Sequence, residues 1–242
     1  MTRLEHFHYL EGMNWLEQMG SQILVIGLPL VLAVTLHEVA HGLVANRLGD
    51  PTARFLGRLT LNPLAHVDPF GTIILPLVLI FLHAGFLFGY AKPVPIVEAN
   101  LRNPKKDMIF VAAAGPISNL LQAFLYMSLL HGVLSASGGS LVPGSFSDQV
   151  FHLMASICKM GIEINVVLCI FNLIPLPPLD GGRVLSGLLP HEASRRLSTV
   201  EPYGVLIIMS LIILDPYLGV MSRFVWPVMG DLSSWILNLA TL

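Results

Sequence analysis

Apolar residues run in stretches long enough to cross a hydrocarbon layer of about 30 Å at 21–46, 70–90, 108–135, 150–172 and 203–222. A shorter stretch, 224–242, contains Asp231 and suits a helix that lies along the interface or half enters it. Between the first two stretches, ARFLGRLTLNPLAHVDPFG (53–71) changes character: apolar and polar positions alternate, and then Asn62, Pro63, Asp68, Pro69 and Gly71 mark turns. That pattern predicts a short β-hairpin followed by a loop. No internal repeat, low-complexity tract or separate soluble domain interrupts the chain. The reading is one all-α polytopic membrane domain over 1–242, with about five to six membrane segments, a core over about 20–190 and C-terminal helices over about 203–242.

Composition agrees. With 54% hydrophobic and 12% charged residues and a mean hydropathy of +0.73, the polar side chains cannot cover an ordinary water-facing surface. A net charge of -2 with no basic run or interleaved aromatic pattern excludes nucleic acid as a partner. Cys158 and Cys169 lie in one apolar segment, roughly 16 Å apart along a helix, too far for a mutual disulfide. They read as small buried apolar residues. Residues 1–20 lack a signal-peptide pattern, so the first span is expected to be an uncleaved anchor.

Lysines and arginines in short loops set orientation by the positive-inside rule. Segment 47–69 carries Arg47, Arg54 and Arg58; segment 91–107 carries Lys92, Arg102, Lys105 and Lys106; segment 183–202 carries Arg183, Arg195 and Arg196; segment 136–149 carries none. The empty segment is expected outside and the others in the cytoplasm. Residues 70–90 then join two loops on one side. Gly71, Pro76, His83, Gly85 and Gly89 suit a re-entrant hairpin sheltered by protein, and an ordinary span with one frustrated loop is the other reading.

The chemistry concentrates in HEVAH (37–41). Histidines at i and i+4 share one helix face and can hold one zinc, with the glutamate between them beside its water. Two histidines and a glutamate in an apolar span are costly unless paired or ligated, which weighs against a purely structural cluster. Counted from residue 21, His37 lies roughly 24 Å along the helix, towards the end that the loop charges make cytoplasmic. A catalytic zinc has three protein ligands and an open position for water. The third ligand is best supplied by Asp180 in NLIPLPPLDGGRVL (172–185), where prolines and glycines break an apolar span and let a carboxylate turn into a protein-lined cavity.

HEVAH in one span, with NLIPLPPLDGG in a later one, resembles the site-2 protease family of intramembrane zinc metalloproteases. AAGPISN (113–119) and GYAKPVP (89–95) agree with it, and GRLTLNPLAHVDPFGT (57–72) is similar to the compact prokaryotic branch that lacks a PDZ domain. The resemblance covers about residues 20–190. It implies that His37, His41 and Asp180 ligate one Zn2+ per chain and that Glu38 is the general base. It further implies that Asn119 positions the substrate backbone or stabilises the oxyanion; helix packing through Gly115, Pro116 and Ser118 is the competing reading of that stretch. His66 and Asp68 would lie at the cavity mouth, or be solvated loop residues. His6, His8, His83, His131, His152 and His191 have no partner at metal spacing and read as interfacial or structural.

The implied function is hydrolysis of peptide bonds in or near transmembrane segments, as in regulated intramembrane proteolysis. A membrane-protein substrate and the lipid bilayer are then the partners, in a prokaryotic inner or plasma membrane. Two alternatives stand beside it: a transporter or channel with embedded polar residues, and a proteolytically inactive relative that binds membrane partners. An extended substrate could pair with an edge at 53–61 or 92–99. Substrate identity, a requirement for prior cleavage and oligomeric state have no signature in the sequence.

Overall fold

Lipid leaves no water to satisfy backbone groups, so spanning segments must bond internally, and the long apolar stretches are helical in the computed structural model, which describes residues 20–82, 89–137 and 144–241. Helix α1 (Leu28–Leu48) follows a wide π-helical turn at Ile23–Gly27; Pro29, with no N–H for the carbonyl four residues back, adjoins that turn. A single turn, α2 (Thr52–Phe55), comes next, and a second wide turn at Pro69–Ile74 leads into α3 (Leu75–Phe81). Helix α4 (Pro104–Ser137) is the longest. Helix α5 (Phe146–Asn172) starts on Ser145, whose hydroxyl accepts the Asp148 N–H at 3.2 Å. Five shorter helices complete the chain: α6 (Asp180–Leu188), α7 (His191–Ser198), α8 (Gly204–Ile213), α9 (Asp215–Leu218) and α10 (Trp226–Leu239).

Helix α4 is the hub, packed against α1, α5, α6 and α10. Its outer face exposes Phe110, Ile117, Leu121, Leu125 and Leu129, while Asn119 and Gln122 on the inner face are buried. Apolar outside and polar inside is the arrangement expected in lipid. Ala123 and Leu130 of α4 pack with Cys158, Ile162 and Val166 of α5 and with Ile236 and Ala240 at the C-terminal end. Among the described residues four helical runs are long and apolar enough to cross a membrane: 20–48, 104–136, 146–172 and 191–213. The protein is a multi-pass membrane protein.

Two expectations change here. The segment at 53–61 is not a hairpin, and no strand occurs among the described residues. Pro51 and Thr52 instead offer carbonyls to the N–H groups of Phe55 and Leu56, and Gly57 closes the turn in the left-handed region. The expected span at 203–222 stops at Ile213, because Asp215 turns back to accept the N–H groups of Met221 and Ser222; the spanning run extends backwards to His191. Within 224–242, expected to lie along the interface or half enter it, a 14-residue helix forms and Ile236 packs on the core. Whether 70–90 crosses or re-enters depends on residues 83–88, which lie outside the described ones, as do His6, His8 and His83.

Past the end of α1, the fully buried carboxylate of Asp50 ties the helix to the 97–100 segment. It accepts the Val97 N–H at 2.7 Å, the Asn100 side-chain amide at 3.0 Å, the Thr52 N–H at 3.1 Å and the Thr52 hydroxyl. Burial acts to raise its pKa, but the hydrogen bonds from Asn100, Thr52 and Val97 outweigh that and hold it below the ordinary carboxylate value. A depressed folded-state pKa contributes stability that is present above the unfolded value and fades as pH falls through the folded one. Asp50→Asn is therefore expected to lower stability by about 2 kcal/mol near neutral pH. The difference from wild type should shrink below about pH 4, as read by thermal melts of detergent-solubilised protein across pH.

Candidate metal centre

Helix geometry places the i and i+4 histidines of α1 on one face, and both are buried, His37 at 8% and His41 at 7% exposure. Asp180, the first residue of α6, meets them from the break after α5. That break is tight: a Cβ on Gly181 or Gly182 would overlap the backbone of Leu173–Ile174 or Leu176–Pro177, so glycine is what lets α6 begin so close to the end of α5. Asp180 Oδ2 lies 3.2 Å from His37 Nε2 and 3.3 Å from His41 Nε2, and the two Nε2 atoms are 3.0 Å apart.

The opposite ring nitrogens are occupied. His37 Nδ1 is 2.6 Å from Asn119 Oδ1, and His41 Nδ1 is 2.7 Å from the Val111 carbonyl. Both partners accept, so each Nδ1 carries the proton and each Nε2 presents a lone pair. A carbonyl oxygen has two lone pairs, so that of Val111 can take the imidazole N–H as well as a helix bond. Two nitrogen lone pairs and a carboxylate oxygen without a donor thus converge with no proton between them, an arrangement that calls for a cation.

The donor set fits zinc. Tetrahedral coordination with bonds of about 2.0 to 2.1 Å puts ligand atoms about 3.3 Å apart, close to the separations here. A Cβ on Gly115 would collide with the imidazoles of His37 and His41, so the glycine of α4 keeps the space beside their Nε2 atoms open. Among the described residues, His37, His41 and Asp180 are the histidine, cysteine and acidic side chains grouped tightly enough to hold a metal ion.

Glu38 is half-buried on the neighbouring face of α1, and its Oε2 accepts the Val94 N–H at 2.8 Å. Among the described residues Oε1 has no hydrogen-bond partner. Val94 lies in the extended 89–97 segment, which is pinned along its length: Tyr90 N–H to Gly71 carbonyl, Lys92 N–H to His66 carbonyl and Val97 N–H to Asp50. Pro93 and Pro95 deny this segment N–H donors for an added strand.

Asn119 is fully buried, and all its polar atoms are used: Oδ1 on His37, Nδ2 on Asn165 Oδ1 at 2.8 Å and on the Ala33 carbonyl at 3.3 Å. In this arrangement both amide hydrogens are engaged, and Oδ1 meets the ring of His37. Sequence reasoning missed Asn165, although a lone amide in an apolar span was its signal; it also missed the backbone groups of Val94 and Val111, for which no signal exists. Asp68 caps the turn at Pro69–Ile74 by accepting the N–H groups of Phe70 and Gly71. His66 is buried in the loop at 63–66.

Replacing Asn119 by leucine, which keeps the volume but not the acceptor, is expected to weaken zinc binding about 10- to 100-fold in chelator competition. Gly115→Ala should displace the imidazoles and abolish stoichiometric metal, which elemental analysis of the purified protein would detect.

Residues 25–214 match the model of peptidase family M50. The chain is 39% identical over 213 residues to YwhC of Bacillus subtilis, a protein named as a zinc metalloprotease, with 87% of this chain and 88% of the relative covered. It is 30% identical over 199 residues to Rip2 of Mycolicibacterium smegmatis, also named as a zinc metalloprotease, covering 82% and 70% of the two chains. No solved structure matches. With a His–His–Asp group able to hold a metal ion and the family pattern spanning most of its length, the chain belongs to peptidase family M50, the site-2 proteases, and is a zinc metalloprotease.

Proposed function

We propose that this M50 peptidase cuts peptide bonds in or beside transmembrane segments of other membrane proteins, as in regulated intramembrane proteolysis, at a site near the cytoplasmic face of a prokaryotic inner or plasma membrane. The observation that carries the reading is the depth of the cluster. Measured back from Leu48, the end of the first spanning run, His41 lies about 10 Å and His37 about 17 Å inside the helix. The helices around the cluster present apolar outer faces. The nearby loops hold Arg54, Arg58, Lys92, Arg102 and Lys105, which supports the cytoplasmic side.

In this reading His37, His41 and Asp180 hold one zinc per chain, whose Lewis acidity acidifies water and polarises the scissile carbonyl. Glu38 Oε1 takes a proton from the attacking water and passes it to the leaving amine as the C–N bond breaks. The Val94 N–H holds Oε2, so the carboxylate is oriented before substrate arrives. Asn119 and the Val111 carbonyl keep both imidazoles in the ligand tautomer. A substrate helix conceals its carbonyls in i to i+4 bonds, so local unwinding precedes attack and helix-breaking residues near the cut favour it.

Glu38→Gln is expected to retain zinc while lowering cleavage at least about 100-fold. Co-expression with candidate single-span membrane proteins should then accumulate uncut precursor only with the variant. A variant that still cuts, or that has lost its metal, would refute the role assigned to Glu38.

A further inference from the structure

A second cavity of about 370 Å³ opens between α1, α5 and the loops at 63–72 and 89–91. Leu30, Val31, Val34, Val67 and Leu168 make its wall apolar. Val31, Val34 and Thr35 line it, and Glu38 continues their i, i+3, i+4, i+7 stripe on α1. The opposite wall, Tyr90–Ala91, runs on to Val94, whose N–H holds Glu38. Both walls therefore lead to the carboxylate assigned as the base.

His66 lines this cavity, and one of its polar atoms has no partner among the described residues. His66 is 3% exposed, and its Nε2 lies 3.0 Å from the Thr60 carbonyl. That carbonyl accepts, so Nε2 carries the proton and Nδ1 presents a buried lone pair with no hydrogen-bond donor. The Thr72 hydroxyl, by contrast, is occupied on both sides, by the Asp68 N–H and the Tyr90 carbonyl. A lipid chain offers Nδ1 no donor, whereas a peptide backbone offers one at each residue. In a helix each of those N–H groups is bonded to the carbonyl four residues back, so an unwound segment is the form that has one to offer.

Resting on the protease reading above, we propose that this cleft receives an extended, aliphatic segment of the substrate next to the scissile bond, and that His66 Nδ1 accepts a hydrogen bond from a backbone N–H of that segment. His66 is thus a substrate-positioning residue, and its pairing is available only to a chain that has left the helix.

The test uses the zinc-loaded full chain in phospholipid vesicles and one cleaved apolar peptide, prepared as a series in which each non-scissile amide near the cut becomes an ester and loses its N–H. His66→Asn keeps an acceptor where Nδ1 stands, and His66→Leu does not; both lose the Thr60 contact, so damage to the loop affects them equally. Expected is one ester position that costs about tenfold in kcat/KM in wild type and His66→Asn and less than twofold in His66→Leu. The proposal is overturned if wild type has no such position, or if the penalty is the same with leucine as with asparagine. Absence of any cleavage by zinc-loaded wild type would instead overturn the protease reading, and this inference with it.

Discussion

Inside a bundle that faces lipid, two imidazole lone pairs and a carboxylate oxygen point at one another with no proton between them, and everything around the site serves that concentration of negative potential. In a medium of low dielectric such a cluster is unfavourable unless a cation occupies it. The protons that could relieve it are held on the far side of each ring, His37 by an amide oxygen and His41 by a main-chain carbonyl. Metal affinity here is therefore as much a property of Asn119, Asn165 and Val111 as of the ligands.

The same constraint explains where the chain is small or broken. Helix α4 has to lie against the two histidines, which only Gly115 allows, and its Val111 carbonyl serves His41. Asp180 has to arrive from a third direction, so α5 stops at Asn172 and a proline-rich turn with two close-packed glycines starts α6 within reach. Glu38 is steadied from outside the helix by an extended segment that is itself tied to Asp50, to His66 and to the 68–72 turn. Stability at the end of α1 and orientation of Glu38 are thus linked through one stretch of chain.

Much of this was legible from residues alone. A membrane protein follows from hydropathy, because lipid selects apolar length directly. The pair His37 and His41 with Glu38 follows from helix periodicity, which is local, and Asp180 stood out as a charge beside a broken span. The errors lay where local pattern is a weak guide. Alternation at 53–61 imitated a strand, but the chain forms a helical turn there, next to Asp50, which holds the Thr52 N–H and is itself bonded to Val97 and Asn100. The apolar length at 203–222 imitated a span, but Asp215 turned the chain back on itself.

By itself, then, the sequence determined the solvent in which this chain folds and the chemical identity of its metal site, since both depend on residue type and short-range spacing. Only the tertiary structure decided which protons the imidazoles keep, that Asn119 faces His37, that a backbone N–H from Val94 holds Glu38, and that His66 keeps an acceptor with no donor among the described residues. These are properties of groups brought together across separations of up to about 80 residues, often main-chain groups that every residue carries, and no pattern of side chains along the chain records where such groups will meet.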